Sequence, residues 1–379
     1  MRWVPMPIVS WAGRIFRAAQ YAAFAVLVGR LSRGRRRRPP LAPVDEPPLA
    51  TVSVIVPARN EEQRLAGCLA PLASDPDLLE VIVVDDESSD GTARVTTAHG
   101  ATTLRGAPLP PGWAGKAWAL EQGLREARGE LVLSLDADTR PRAGLARAMA
   151  AARGDALLLS AGPRFVCHSA GERLLHPALL ATLVYRFGPA DVEGYQPSPA
   201  RALANGQCML VDRVRLLAAG GLEQVRGHLT EDMALARALR RRGEPIGFVD
   251  ASALLDVQMY EGARDTWSGW GRSLALADAS EAPRLLADVA TVWLCQAAPL
   301  VRVLLRRAAP LDWLLLSIRL ALHAALARSY ARRGAPFWLA PLADVPAALR
   351  LSWSALRPSR SWRGRTYPPL RGTTARSAS

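Results

Sequence analysis

Leu131-Val132-Leu133-Ser134-Leu135-Asp136-Ala137-Asp138 is a short apolar run that ends in two carboxylates one residue apart. Gly129-Glu130 precede it and Thr139-Arg140-Pro141 follow it, bounds that predict a buried strand rather than a helix. Side chains alternate along a strand, so Asp136 and Asp138 share a face if the strand continues. At a strand end both reach one hard cation from the same side, and such a cation takes phosphate as its other partner. Two loop aspartates capping the next helix are the competing reading, and an Asp-x-Asp by itself favours that one.

The pair is not isolated. Residues 52–57 read as a buried strand, 61–72 as a helix, 81–84 as a second strand ending at Asp85-Asp86, 91–99 as a helix, 101–104 as a short strand and 116–128 as a helix. Such alternation implies a mostly parallel sheet with helices on its faces. Ligands of these sheets sit beyond the carboxyl ends of the strands. Pro57-Ala58-Arg59-Asn60-Glu61, Asp85-Asp86 and Asp136-Ala137-Asp138 all fall there. Asn60 also suits a helix cap, with Glu61 and Glu62 complementing the dipole, and the two roles are compatible.

A length of 379 residues holds one large or two ordinary domains. Hydrophobic residues make up 50% beside 22% charged ones, so the apolar surplus is local. The net charge of +14 suits nucleic acid or an anionic membrane surface. Nearly all of the basic residues are arginine, a skew that coding bias produces; Lys116 is the single lysine. Cys68, Cys167, Cys208 and Cys295 form no Cys-x-x-Cys, and no His-Glu-x-x-His is present. Neither a structural zinc site nor a disulfide framework is expected, which favours a reducing compartment.

Several motifs fail. Asp86-x-Ser88-x-Asp90-Gly91 imitates a calcium loop but has Thr97 where the bidentate Glu belongs. Gly112-Trp113-Ala114-Gly115-Lys116 imitates a phosphate loop, yet Ala117 replaces the metal-binding Ser or Thr. No Gly-x-Gly-x-x-Gly follows a strand, and no serine sits in a nucleophile elbow.

Val-Ser-Val-Ile-Val-Pro-Ala-Arg-Asn-Glu-Glu (52–62), Val-Val-Asp-Asp-Glu-Ser-Ser-Asp-Gly-Thr (83–92), the Asp136-Ala137-Asp138 turn and Thr230-Glu231-Asp232 together resemble the family 2 glycosyltransferases of GT-A fold, over roughly residues 51–279. The stretch 108–116, ending Gly-Trp-Ala-Gly-Lys, resembles the membrane-associated branch that includes carotenoid-type and hopanoid-associated glycosyltransferases. The resemblance implies an α/β nucleotide-diphospho-sugar transferase fold and a nucleotide-sugar donor. Asp136 and Asp138 would hold Mg²⁺ or Mn²⁺ against the donor diphosphate, Asp136 would also meet the ribose, and Asp86 the base. Pro57, Arg59 and Glu61 match the loop that cradles the base, and Gly206 lies on the strand where backbone approaches donor or acceptor.

Lys116 sits at the mouth of the same sheet, where an ammonium meets phosphate; an exposed loop lysine is the alternative. Asp232 matches the family's general base, which takes the acceptor hydroxyl proton as its oxygen attacks the anomeric carbon. Glu231 is the neighbour to be distinguished from it and is expected to meet the acceptor, and Thr230 as an N-cap accounts for the same helix start. Gln-x-x-Arg-Trp of processive members is absent; residues 267–273 replace it with a shorter Trp-x-basic version in which Arg272 meets the diphosphate and Trp270 the acceptor, or which packs a helix face on lipid.

The chain ends frame this core. Residues 1–50 carry an apolar segment (3–31) interrupted by Arg14 and Arg17, suited to an interfacial helix, then Arg35-Arg36-Arg37-Arg38 and a proline-rich linker. No small-residue cleavage site follows, against a removable signal peptide. The catalytic domain is expected over 51–282, membrane helices over 283–356 as three apolar segments (285–305, 311–327, 336–353), and a basic tail over 357–379. The tail sequence Trp362-Arg363-Gly364-Arg365 resembles that of the carotenoid-type branch, its arginines expected at the cytoplasmic surface. Alternation is read as lost over 156–201, where the apolar stretch 174–187 lines an acceptor groove, rests on the membrane or packs in a core.

The expected activity is inverting transfer of a sugar, by default from a UDP-sugar, to a lipid or terpenoid at the cytoplasmic membrane face, with no nucleic-acid partner. Nucleotidyl transfer on a similar fold is the alternative, as is transfer to polyprenyl phosphate or an exopolysaccharide precursor. Nucleotidyl transfer usually needs a Gly-rich basic loop after the first strand, and Ala58-Arg59-Asn60-Glu61 has none.

Overall fold

The strands of the chain are β1 (Val52–Ala58), β2 (Leu78–Asp85), β3 (Thr102–Arg105), β4 (Leu131–Leu135), β5 (Thr139–Pro141), β6 (Leu158–Gly162), β7 (Arg164–Phe165), β8 (Cys208–Asp212), β9 (Ile246–Asp250) and β10 (Leu255–Val257). They come from a computed structural model that describes residues 9–46, 50–276, 279–358, 361–362 and 365–367. Seven of them make one sheet in the order β3-β2-β1-β4-β8-β6-β9, and β5-β10-β7 make a small second sheet. β1 pairs in parallel with β2 and β4, β2 with β3, and β6 with β9. Only β8 runs against its neighbours in the large sheet, antiparallel to both β4 and β6. The carboxyl ends of β1, β2 and β4 therefore share a rim with the amino end of β8.

The helices up to residue 273 are α1 (Val9–Leu31), α2 (Leu65–Leu72), α3 (Thr92–Ala98), α4 (Gly115–Glu126), α5 (Leu145–Ala152), α6 (Ala170–Phe187), α7 (Arg213–Ala218), α8 (Glu231–Arg241) and α9 (Gly262–Ser273). Both faces of the sheet are covered, which is why every residue of β1 and β4 is buried. Leu131, Leu133 and Leu135 pack with Leu65 and Leu69 of α2 and Met149 of α5. Val132 points the other way, into Leu120 and Leu124 of α4 and Leu235 and Leu239 of α8. Each such side chain contributes about 1.5–3 kcal/mol by leaving water. Pro57 is tolerated inside β1 because pairing with β4 has stopped at Ile55, so its missing N–H interrupts no ladder there.

Three local expectations are corrected. The central strand stops at Leu135, and Asp136 to Asp138 form a turn before β5. The N–H and hydroxyl of Thr139 both donate to the Asp136 carbonyl, at 3.0 and 2.7 Å, and close that turn; the two aspartates are neighbours on a turn, not alternate positions of a strand. Residues 156–201 do not lose the strand pattern, since 158–162 form β6, a strand buried between β8 and β9 with no polar alternation to mark it. The helix after β1, α2, begins at Leu65 rather than 61, with Asn60 in a left-handed conformation (φ 54°).

Beyond the sheet come α10 (Ala282–Val292), α11 (Ala298–Leu304), α12 (Pro310–Leu326), α13 (Ala335–Trp338) and α14 (Asp344–Leu356); α10, α12 and α14 share an apolar cluster with α1 and α6, and Phe337 of α13 packs separately with Cys167, Ala327 and Tyr330. A π-turn at Trp293–Ala297 joins α10 to α11 just ahead of Pro299, whose ring lacks a donor for the preceding turn. The rods Ala282–Leu304 and Pro310–Ser329 are long and apolar enough to cross a membrane. Only 39% and 33% of their apolar windows are buried, so Leu286, Leu304 and Trp313 lie bare. Among the described residues no third helix meets that standard: 336–353, expected as a third segment, breaks at Ala340–Ala343. Of the arginines in the rods, Arg302 pairs with Asp312 (2.9 Å) and Arg319 with Asp344 (2.8 Å). In α1 Arg30 meets Asp288 at 2.8 Å, and after it Arg37 meets Asp191 at 2.6 Å, so part of the basic cluster fastens this segment to the fold.

Candidate active site

Three βα loops and one αβ approach meet at the shared rim. Arg59, just past β1, donates to the Asp86 carbonyl (2.6 Å) and lies 3.7 Å from Glu87. The Ser89 N–H donates to Asn60 Oδ1 (2.8 Å), the Glu61 N–H to Thr92 Oγ1 (2.9 Å), and the Gly91 N–H to Glu62 Oε2 (3.1 Å). These residues lace the first loop to the second. None caps α2, because the helix starts further on, at a residue without a side-chain cap.

Lys116 stands in the first turn of α4. Its Nζ lies 2.8 Å from Asp136 Oδ1 and 3.0 Å from Glu231 Oε1, so it is the cation inside a carboxylate cluster rather than an exposed loop lysine. Burial opposes the ammonium, but Asp136, Glu231 and Asp232 outweigh it and hold the group protonated above its ordinary range. Burial pushes Glu231 up to about 7 despite Lys116. Asp232 is raised for the same reason, against the pull of Lys116 and of two N–H donors, Gly206 at 2.7 Å and Met233 at 2.8 Å. Thr230 occupies the N-cap position of α8 without a side-chain capping bond, so the start of this helix is not explained by that cap.

Gly206 is required by close approach. A Cβ there would lie 3.0 Å from Lys116 Nζ and 3.1 Å from Asp232 Oδ2, so both ionic side chains would have to give by a few tenths of an ångström. The next residue, Gln207, accepts from the Asp136 N–H (3.1 Å), which ties the Asp136–Asp138 turn to the start of β8.

Asp138 Oδ1 is buried with no hydrogen-bond partner, and burial together with Asp136 and Glu61 pushes this carboxyl up to about 7. A buried acceptor without a donor, beside a second carboxylate on the same turn, suits a hard divalent ion. Among the described residues no group of three or more His, Cys, Asp or Glu is placed to hold a metal alone. The two aspartates therefore fit an ion that takes its remaining ligands from phosphate and water, as Mg²⁺ commonly does.

Asp232 also opens onto a cavity of about 310 Å³. Its wall runs from Asp232 and Met233 past Trp270 and Leu183 to Leu322 and Leu326 of α12, a candidate membrane helix. Trp270 is buried in that wall, whereas Glu231 is turned to Lys116 and is not part of it. Arg272 lies on α9, but its side chain is outside the described residues. Of the three readings given for the apolar stretch 174–187, a groove wall agrees with Leu180, Leu183 and Val184 lining the cavity; the sequence did not show the other walls, which come from stretches far apart in the chain, nor that Arg365 and Tyr367 reach the same rim. Arg365 Nη1 lies 2.6 Å from Asp86 Oδ2, so this arginine meets the rim; Arg363 is outside the described residues.

Residues 53–188 match the model of the family described as Glycosyl transferase family 2. The 4,4'-diaponeurosporenoate glycosyltransferase of Staphylococcus haemolyticus (strain JCSC1435) is 28% identical over 243 residues, covering 62% of this chain and 64% of that protein. The protein of the same name from Staphylococcus aureus (strain bovine RF122 / ET3-1) is 27% identical over 250 residues, 64% of this chain and 66% of its own. The chain thus spans just under two thirds of the length of these relatives. Of solved structures, a mannosyltransferase from Pyrobaculum calidifontis in complex with GDP-Man and Mn²⁺ aligns with a TM-score of 0.45 at 20% identity, over 89% of this chain and 99% of that one. Glucosyl-3-phosphoglycerate synthase from Mycobacterium tuberculosis aligns with a TM-score of 0.42 at 22% identity, over 60% of this chain and 78% of that one.

Proposed function

We propose, for a chain whose residues 53–188 are a glycosyl transferase family 2 domain, that it moves a sugar from a nucleotide-diphosphate donor to an apolar lipid or terpenoid acceptor at the cytoplasmic face of a membrane. The observation that carries the acceptor half is the apolar cavity, which joins Asp232 to a helix apolar enough to lie in lipid. A polymer or a polar small acceptor has no use for such a wall. The carotenoid named in the relatives supports an acceptor of this class.

Donor chemistry falls to the other side of Asp232. Asp136 and Asp138 would hold Mg²⁺ or Mn²⁺ against the diphosphate, and the ion, when bound, neutralises charge on the departing nucleotide. Lys116 adds a fixed positive charge at the same turn. Arg59, Glu61 and Asp86 border the base, with Pro57 setting the exit of β1. Gly206 lets Lys116 and Asp232 come together with only backbone between them.

In the transfer, the acceptor hydroxyl oxygen bonds to the anomeric carbon while the bond from that carbon to the diphosphate oxygen breaks. The hydroxyl proton passes to Asp232, whose raised pKa suits a base working near neutral pH. An acceptor carboxylate brings no proton, and Asp232 then serves only to orient it. One displacement inverts the anomeric centre, and no covalent nucleophile is needed. Trp270 supplies a flat apolar wall for the acceptor.

The test is incubation of membranes from cells with and without the gene with labelled nucleotide sugars, followed by lipid extraction. Label is expected in the lipid fraction only with the gene, and lost in Asp138→Asn. Label confined to water-soluble polymer would overturn the acceptor reading. Release of pyrophosphate in place of nucleoside diphosphate would favour nucleotidyl transfer.

A further inference from the structure

The chain returns to the rim from its far end. β11 (Ser361–Trp362) and β12 (Arg365–Thr366) pair as a short antiparallel ladder, Trp362 opposite Arg365. Arg365 Nη1 lies 2.6 Å from Asp86 Oδ2, 279 residues earlier, and its Nη2 bonds Glu87. Just beyond, the Gly115 N–H donates to the Tyr367 hydroxyl at 3.1 Å. Gly115 directly precedes Lys116. A Cβ on it would lie 2.8 Å from Asp86 Oδ2, 2.9 Å from Arg365 Nη1 and 3.1 Å from the Tyr367 oxygen. Three segments thus converge on the space of one absent methyl group.

We propose that this C-terminal segment completes the donor site, with Arg365 as a positioning residue that orients Asp86 toward the nucleobase and Tyr367 closing the pocket over Gly115. The inference rests on the glycosyl-transfer reading above. Two features favour a strap that binds with the donor over a plug that the donor must expel. First, Arg365 engages Oδ2 of Asp86, and no described residue donates to Oδ1, which leaves that oxygen for an N–H of the base. Second, Arg59 lies 4.0 Å from the same Oδ2 and 3.7 Å from Glu87, so two guanidinium groups balance two carboxylates. These four charges cancel one another beside the uncharged base, while Lys116 and the Asp136–Asp138 turn serve the charged diphosphate. Without Arg365, Asp86 would keep only the more distant Arg59 and would lose its fixed orientation.

Binding of UDP, GDP and inorganic pyrophosphate to the purified full chain with Mn²⁺, by calorimetry in detergent, tests this. Arg365→Ala is expected to weaken the preferred nucleoside diphosphate by about tenfold or more, and to leave pyrophosphate binding unchanged. Arg365→Lys is expected to recover part of the loss, and donor KM to rise while kcat is kept. Hydrogen exchange over residues 361–367 is expected to slow when nucleotide binds. Unchanged or tighter nucleotide binding in Arg365→Ala, or faster exchange in the segment on binding, would overturn the strap alone. If the wild-type chain bound neither nucleotide, the glycosyl-transfer reading would fall and the strap would lose its ligand with it.

Discussion

Lys116 Nζ lies 2.8 Å from Asp136 Oδ1, and because the same ammonium is 3.0 Å from Glu231, the single lysine of the chain joins the β4 turn to the start of α8. It is the nearest compensating charge for a cluster that includes Asp136, Glu231 and Asp232. Lys116→Met removes it and leaves buried carboxylates facing one another. Transfer is expected to fall about 100-fold or more, and the protein to lose about 3–5 kcal/mol by thermal melting. Retained activity together with retained stability would show that the lysine is a bystander.

Asp232→Asn is expected to cut transfer to a hydroxyl acceptor by about 10²–10⁴-fold while donor binding stays intact. The base must be ionised and its pKa is raised, so the wild-type rate should climb with pH through a limb above the ordinary carboxylate range. That limb should vanish in the variant. A small effect of Asp232→Asn would point to an acceptor that arrives already ionised.

Asp138 carries a carboxyl pushed up to about 7 by burial, Asp136 and Glu61. A metal needs it ionised, so Mn²⁺ affinity, read by electron paramagnetic resonance, should weaken as pH falls below about 7. A raised carboxylate pKa favours the folded state at low pH and costs stability as pH rises through it. Metal-free Asp138→Asn should therefore melt higher than wild type at pH 8, with the gap closing towards pH 4. An affinity for Mn²⁺ that is flat between pH 6 and 8 would contradict this environment.

The cavity makes a separate prediction. Ala325 of α12 lines it, and Ala325→Trp fills part of the space that reaches Asp232. Acceptor KM should rise at least about tenfold, the effect of losing one good apolar subsite. Hydrolysis of the donor in the absence of acceptor should be unchanged. An unaltered acceptor KM would place the acceptor elsewhere.

Arg319 and Asp344 are both buried, with two hydrogen bonds of 2.8 and 2.9 Å between α12 and α14. Asp344→Ala strands the guanidinium and should cost about 3–5 kcal/mol, whereas Arg319→Met with Asp344→Leu should recover most of it. Thermal melting in detergent compares the three proteins.

Much of this site was written locally. The period of the apolar residues gave the alternation of strands and helices, and each βα loop of the rim carries its chemistry within a few residues, from Arg59 to Asp86 to Asp136. Where local reading went astray, a local competitor decided. Thr139 closed the turn that ended β4 before Asp136, and β6 hid because a strand buried on both faces shows no alternation. Asn60 looked like a cap for a helix that starts further on.

By itself, the sequence determined the α/β order and the supply of acidic groups after successive strands, since these depend on side-chain period and on neighbours in the chain. Only the tertiary structure decided which groups meet. Lys116 is 20 residues from Asp136 and 115 from Glu231, and Arg365 is 279 from Asp86. Such pairings follow from the stacking order of strands and the path of the C-terminal segment, and sequence separation carries no signal for them. The cavity has the same origin: Leu183, Trp270, Leu322 and Leu326 have ordinary core identities, and only the fold sets them around one space that reaches Asp232.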